Sequence, residues 1–383
     1  MKSSLEVKYR VGVIGCGRAG TGRARAFDLH PLCAVAAIAD TDADNLALGC
    51  ERFGVPGYNT WEEMFASEEI DIAMPVLPVR PNADAVVASA EAGVKAIFCE
   101  KPFTNSLADA DRMVETCSSR EVHIASGVMV SSHPDYQKAY ELAASGEIGE
   151  VRRINLYENN AQGGCHGLNL ARKFAAKTPV ETVTGRVEGD PFSDYEEPYE
   201  EGDTGFGGVG GTIRFANGIE CFSSFGDVPW RGIEVVGTRG VIYNRNNTSL
   251  GLTLLKAEGE GPVKGVQDLT VVEGVFEEHS EEPRGFDDEG WMDPGPNMRE
   301  IVRALVEALE AGVELPVTTG DDLRHALEIA LALRESHRRG SDVSLPLEDR
   351  SLVMYPQKMR WYYKKDLHGK EWYAEQMAKA RRA

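Results

Sequence analysis

Three stretches of this chain carry residue types and spacings that chemistry could use. The first is Gly15-Cys16-Gly17-Arg18-Ala19-Gly20, placed between an apolar run, Val11-Gly12-Val13-Ile14, and a helical pattern over Thr21–Leu29. Glycine at Gly15 permits a tight turn, at Gly17 lets the backbone approach a pyrophosphate, and at Gly20 lets the helix pack close to a sheet. An anion held there, beside Arg18 and Ala19, would meet free amides at the positive end of the helix. Twenty residues beyond Gly20, the run Val35–Ala39 ends at Asp40. A carboxylate at that point can accept hydrogen bonds from the hydroxyls of an adenosine ribose, and it repels a 2′-phosphate. Asp42 adds a second negative charge, and position 41 is Thr41 rather than an arginine. The expected cofactor is therefore NAD, ahead of NADP.

The second stretch is Glu100-Lys101-Pro102, at the end of the apolar run Lys95–Cys99. In an open parallel sheet, ligands lie beyond the carboxyl ends of the strands. That places Lys101 and Glu100 beside the reactive end of a dinucleotide, together with Pro78 and Asn82 from the proline-punctuated segment 74–82. Asn82 serves equally well as the N-cap of the next helix. A fixed ammonium lowers the cost of a developing alkoxide, and Pro102, with its fixed φ and no amide hydrogen, stiffens the lysine's position. The third stretch is Gly163-Gly164-Cys165-His166-Gly167, before a helical pattern over Leu168–Phe174. An imidazole titrates near neutral pH and suits general-base work. Asn169 follows three residues on and shares the histidine's face if the helix begins there. His133 is a lesser alternative base.

These residues need a scaffold that gathers them at one edge. Residues 1–127 alternate short β-branched runs with Ala-rich helical segments: strands at Tyr9–Ile14, Ala34–Ala39, Ile70–Val76, Lys95–Cys99 and His123–Gly127, helices at Asn82–Ala92 and Leu107–Ser118 among others. Such alternation predicts a doubly wound parallel sheet, an α/β Rossmann domain. After Pro134 the rhythm changes. A helix over Pro134–Ser145 leads to a strand at Val151–Tyr157. Strand-like segments then follow without intervening helices: Gly211–Phe215, Ile219–Phe225, Gly232–Gly237, Gly240–Asn244, Leu252–Leu255 and Asp268–Val272. Helices near Asn297–Ala311 and Gly320–Arg338 follow. This predicts an α+β domain over 128–349 with a large, mostly antiparallel open sheet. Residues 350–383 form a basic, aromatic extension. Glu188–Asp203 and Glu277–Pro296 read as acidic surface loops.

Composition narrows the partners. The formal net charge is −20 over 383 residues, so nucleic acid and anionic membrane are not expected partners. The segment Pro356–Ala383 alone is basic, with eight Lys/Arg against three Asp/Glu, and suits docking on acidic surface of its own kind. The seven cysteines are scattered without a Cys-x-x-Cys pair, which fits reduced thiols in a cytoplasm and argues against a structural metal site. No run approaches the ~18 apolar residues of a membrane span. The N-terminus does not look like a signal peptide. A broad open sheet needs its outer face covered, so a homo-oligomer, dimer or tetramer, is expected.

Taken together, the chain resembles the Gfo/Idh/MocA family of glucose–fructose oxidoreductase, inositol dehydrogenase and related sugar enzymes. The resemblance rests on Gly15-x-Gly17-x-x-Gly20, Asp40, Glu100-Lys101-Pro102, Gly146–Val151, Gly163–His166, Glu234–Gly240 and Pro316–Asp322, in the family's order. It implies that Lys101 contacts both the substrate hydroxyl and the nicotinamide ribose, that His166 is the general base, and that Gln162 and Asn169 lie at the substrate. The family commonly carries acids where Gln162 and Asn169 stand, so His166 is expected to be less basic here than in a typical relative. The expected reaction is hydride transfer between nicotinamide and a secondary hydroxyl of a sugar, polyol or derivative. The alternative is an NAD-retaining lyase or glycosidase that oxidises its substrate only transiently.

Overall fold

A computed structural model describes residues 7–157, 164–187, 209–224, 232–244, 251–276 and 293–354. Gln162, the acidic loop 188–203, most of the loop 277–296 and the extension beyond 354 lie outside the described residues.

The first unit is a six-stranded parallel sheet. Its strands are β1 (Tyr9–Ile14), β2 (Cys33–Ala39), β3 (Gly57–Tyr58), β4 (Ile72–Pro75), β5 (Ala96–Cys99) and β6 (His123–Ser126), in the order β3-β2-β1-β4-β5-β6. The reversal of order beside β1 opens a crevice at the carboxyl edge, where an open α/β sheet receives ligands. Helices α1 (Arg18–Leu29), α2 (Ala43–Phe53), α3 (Trp61–Ser67), α4 (Val79–Glu91) and α5 (Leu107–Ser119) fill the crossovers. Caps written in the sequence start several of them. Asp42 accepts from Asn45 N at the head of α2, and Ser106 accepts from Asp109 N at the head of α5. The strands agree with the expected ones to within two residues, and only the two-residue β3 gave no pattern to read.

Helix α4 differs from expectation. It begins at Val79, so Pro81 and Asn82 lie inside its first turn and Pro78 takes the N-cap position. Proline is tolerated there because the first amides of a helix have no intrahelical partner. Asn82 therefore does not cap the helix.

After α6 (Pro134–Ala144) comes the second sheet: β7 (Val151–Tyr157), then, past α7 (Gly167–Phe174), β8 (Val180–Val187), β9 (Val209–Phe215), β10 (Glu220–Ser223), β11 (Gly232–Gly237), β12 (Gly240–Asn244), β13 (Thr253–Ala257) and β14 (Leu269–Val271). Helices α8 (Gly295–Ala311) and α9 (Gly320–Arg339) and the short β15 (Val343–Ser344) complete the described chain. The nine strands run β14-β13-β12-β11-β7-β10-β9-β8-β15, antiparallel except for the parallel pair β7–β10. Strand β8 escaped the sequence reading because its polar residues alternate with few large apolar ones. One sheet face is buried, with Ile154, Leu156, Ile213, Cys221, Ile233, Val235 and Ile242 in a single cluster with residues of α7 and α9.

The two units are interlocked. Helix α8, late in the sequence, packs on the first sheet, with Met298, Ile301, Val302 and Leu305 clustered with Val11, Phe27 and Phe98. Residues 350–354 fold back onto the start of α5, where Leu107 N donates to Leu352 O (3.0 Å) and Arg350 pairs with Asp111 (2.6 Å). Among the described residues no helix is long and apolar enough to cross a membrane.

Close backbone approach fixes β8 on α9. A Cβ at Gly185 would lie 1.8 Å from Leu333 O, and Gly185 N donates to Ser336 Oγ at 2.8 Å. Gly185→Ala must push strand and helix apart and is expected to cost about 1–3 kcal/mol. Urea denaturation measures this, and an unchanged midpoint would contradict the contact.

Candidate active site

The turn after β1 is shaped by backbone proximity. Gly15 has φ of 85° and donates its N–H to Ala39 O at 2.8 Å. A Cβ there would meet Val76 O at 2.6 Å, and one at Gly20 would meet Gly15 O at 1.9 Å. Gly17 is the exception: a Cβ would find nothing nearer than Asn45 Nδ2 at 3.7 Å, so its free side is open. Gly17 caps α1 without a side-chain hydrogen bond, and the first turn, Arg18-Ala19-Gly20, holds no acid. Uncapped amides, an open glycine and no competing carboxylate fit the pyrophosphate of a dinucleotide.

Asp40 stands at the end of β2, half-buried. Cys16 N donates to its Oδ2 and Asp42 N to its Oδ1, each at 2.8 Å. Each oxygen keeps a lone pair, so the carboxylate is fixed yet still able to accept two ribose hydroxyls. The Cys16 thiol lies 3.5 Å from Oδ2 and 3.0 Å from Asn45 O. Burial first, then the Asp40 charge, push that thiol well above its ordinary range, so it stays protonated. Thr41 is exposed, and Asp42 is occupied as the α2 cap.

The opposite end of the crevice is built from the turns after β4 and β5. Pro78 is exposed on the rim. Asn82 is 1% exposed, and its amide donates to Phe103 O (2.8 Å) and Cys99 Sγ (3.1 Å). Its Nδ2 thus holds the chain on either side of residues 100–102, while its buried Oδ1 has no hydrogen-bond partner among the described residues. Lys101, half-buried, follows Glu100 and precedes a cis peptide to Pro102. The Glu100 carboxylate is buried, 3.1 Å from Arg23 Nε of α1 and 3.9 Å from Lys101 Nζ. Sequence reasoning missed Arg23. Its one signal was a cation one turn beyond Gly20, on the helix that the glycines bring close to the sheet.

His166 stands at the head of α7 with its ring half-buried and Nδ1 sealed from solvent. Among the described residues that Nδ1 has no hydrogen-bond partner. Burial first, and the nearby Lys101 charge second, lower the imidazole pKa to about 4. The causes on view are desolvation and a cation.

Asn169 is 0% exposed, and its amide donates to Thr318 Oγ1 (3.0 Å) and Ser131 Oγ (3.2 Å), which lie 2.6 Å apart. It thereby ties α7 to the chain following β6 and to the approach to α9, while its buried Oδ1 has no hydrogen-bond partner among the described residues. A second tie lies further along α7, where Arg172 pairs with the buried Asp322 at 3.3 Å. His133 caps α6 by accepting from Asp135 N at 3.1 Å, which is a structural use of its Nδ1.

Comparison with known proteins agrees with this construction. Residues 9–128 match the oxidoreductase family with an NAD-binding Rossmann fold. An uncharacterized oxidoreductase of Rhizobium meliloti, ORF334, is 34% identical over 121 residues, which is 31% of this chain and 36% of that protein. So the chain matches only about a third of that relative's length. The myo-inositol 2-dehydrogenase of Thermotoga maritima is 26% identical over 355 residues, covering 88% of this chain and 98% of that enzyme. The crystal structure of an oxidoreductase from Agrobacterium radiobacter in complex with NAD+, L-tartaric acid and magnesium shares the fold. Its TM-score is 0.66 at 19% identity, over 88% of this chain and 98% of that one. Residues 9–128 thus carry the NAD-binding Rossmann fold of an oxidoreductase family, and the chain as a whole shares its fold with solved oxidoreductases.

Proposed function

We propose that this protein is an NAD-dependent dehydrogenase acting on a secondary hydroxyl of a sugar, polyol or derivative, or on the matching ketone. The observation that carries the reading is the pairing of one ammonium, on Lys101, with one imidazole, on His166, close enough for the first to depress the second. Bound NAD supplies the hydride acceptor. Lys101 holds the substrate oxygen and stabilises the negative charge that builds there. His166, neutral at working pH, accepts the hydroxyl proton. Gly15, Gly17, Arg18, Ala19 and Gly20 hold the pyrophosphate, Asp40 the adenosine ribose, and the turn containing Pro78, Glu100 and Lys101 borders the nicotinamide. Support for a polyol-like substrate comes from the Thermotoga maritima relative, whose name is that of an inositol dehydrogenase and which matches almost end to end. In this reading residues 1–127 bind the cofactor, and residues 128–349 shape the substrate site and the contacts of a homo-oligomer.

Incubation with NAD and a panel of cyclic polyols, sugars and sugar acids is expected to yield NADH with at least one. No NADH from any of them, together with no consumption of NADH by the ketones, removes the reading. Lys101→Met is expected to lower kcat by about 100- to 1,000-fold, the scale of losing one oxyanion donor.

Cofactor choice is read at Asp40. The fixed carboxylate favours NAD over NADP by about 100-fold or more, since close like charges cost several kcal/mol. Asp40→Ala is expected to narrow that ratio in a fluorescence titration, and an unchanged ratio would move the discrimination elsewhere.

The pH profile follows from the imidazole. A base works only in its neutral form, which prevails above its pKa. The acid limb of kcat/KM is therefore expected near pH 4 rather than near the ordinary histidine value. Removing the neighbouring cation in Lys101→Met raises that pKa, which an NMR titration of the His166 ring reads directly.

A further inference from the structure

Glu100 carries one negative charge, and two cations face it. Its carboxylate is 8% exposed, so it cannot rely on water and must be paired by protein. Arg23 Nε reaches Oε2 at 3.1 Å, whereas Lys101 Nζ stops at 3.9 Å from Oε1, beyond hydrogen-bond reach. The carboxylate is seated over the backbone of Gly127, where a Cβ would lie 2.2 Å from Oε2. Arg23 is itself largely buried, at 14% side-chain exposure, and comes from α1, the helix whose first amides face the pyrophosphate site.

We propose that Arg23 is a positioning residue which, by occupying Glu100, keeps the Lys101 ammonium un-neutralised and turned toward the substrate oxygen. The proposal rests on the dehydrogenase reading for its kinetic meaning, though the charge sharing itself does not. Deprived of Arg23, the buried carboxylate has one cation left within reach among the described residues, and Coulomb attraction rises as the gap closes. Lys101 would then close onto Glu100, turn from the cleft and lose its net charge. The chemistry would lack its electrophile although every residue that touches the substrate remained in place. Arg23 thereby links the helix that receives the cofactor to the group that polarises the substrate.

His166 reports on this without any turnover, because the Lys101 charge acts on it. In Arg23→Met, the ring titration of His166 by NMR is expected to move up, toward its position in Lys101→Met. In the double variant Arg23→Met/Glu100→Gln, nothing remains to capture Lys101, and the titration is expected to return toward that of the unaltered protein. Kinetically, Arg23→Met is expected to lower kcat about 10- to 100-fold, part of the loss of a full oxyanion donor, with KM for NAD changed much less. The double variant should recover most of kcat, and Arg23→Lys should retain it. An unmoved His166 titration in Arg23→Met overturns the proposal. So does a fall in kcat that Glu100→Gln fails to rescue, since that marks Arg23 as structural. Should the unaltered protein turn over no substrate with NAD, the dehydrogenase reading falls, while the titrations still decide whether Arg23 and Lys101 share the carboxylate.

Discussion

A carboxylate taken out of water must be met by cations, and two such carboxylates hold this site together. Glu100, at the end of β5, is met by Arg23 at 3.1 Å, with Lys101 at 3.9 Å. Asp322, 1% exposed at the head of α9, is met by Arg172 at 3.3 Å and Lys177 at 3.0 Å, and so sets where α7 lies. Burial alone would raise the Asp322 pKa, but Lys177, Lys173 and the Thr319 amide reverse that and hold it below the usual carboxylate range. Helix α7 carries His166 at its head, so one buried carboxylate lies beside the ammonium and the other anchors the helix of the imidazole. Removing either cation set would strand a charge in the interior, which makes both arrangements rigid rather than merely favourable.

Between these anchors the helices contribute precision. Asn169 Nδ2, Ser131 and Thr318 form a polar cluster, with the two hydroxyl oxygens 2.6 Å apart, at the junction of α7, the chain after β6 and the approach to α9. On the other side, Asn82 stitches the first turn of α4 to Phe103 O, just past the Lys101 turn. Each asparagine thus uses its Nδ2 to fix backbone and helix placement. The glycine turn is fixed differently, by atoms that are absent: at Gly15 and Gly20 any Cβ would collide with backbone.

That difference explains what the sequence could disclose. The glycine turn, Asp40 and the Lys101 turn are local: each follows from what a strand end and a helix start require, so residue type and spacing suffice to read them. The strands of the first sheet are similarly legible, as short apolar runs buried on both faces. Asn82 and Asn169 are not, because an asparagine near a helix start can cap, bind a ligand or be buried, and only tertiary packing chooses. Arg23 looked like one basic residue among several on α1, and its partner lies 77 positions away. The packing of α8 on the first sheet is also a long-range fact, since its apolar face would suit either layer.

The closeness of Lys101 to His166 has a cost in the resting protein that the proposed reaction would reverse. Burial opposes protonation of the ring, and the nearby ammonium opposes it further, which is why the pKa falls to about 4. A base that weak takes a proton poorly from a free alcohol. As the hydroxyl ionises between the two groups, however, negative charge appears where the repulsion was felt, and it attracts the ammonium and the nascent imidazolium alike. The penalty is therefore largest before the proton moves and smallest while it is moving, which is the condition for an interaction to favour the transition state over the bound substrate. The low basicity of His166 is then consistent with a catalytic role, provided that Lys101 keeps its charge.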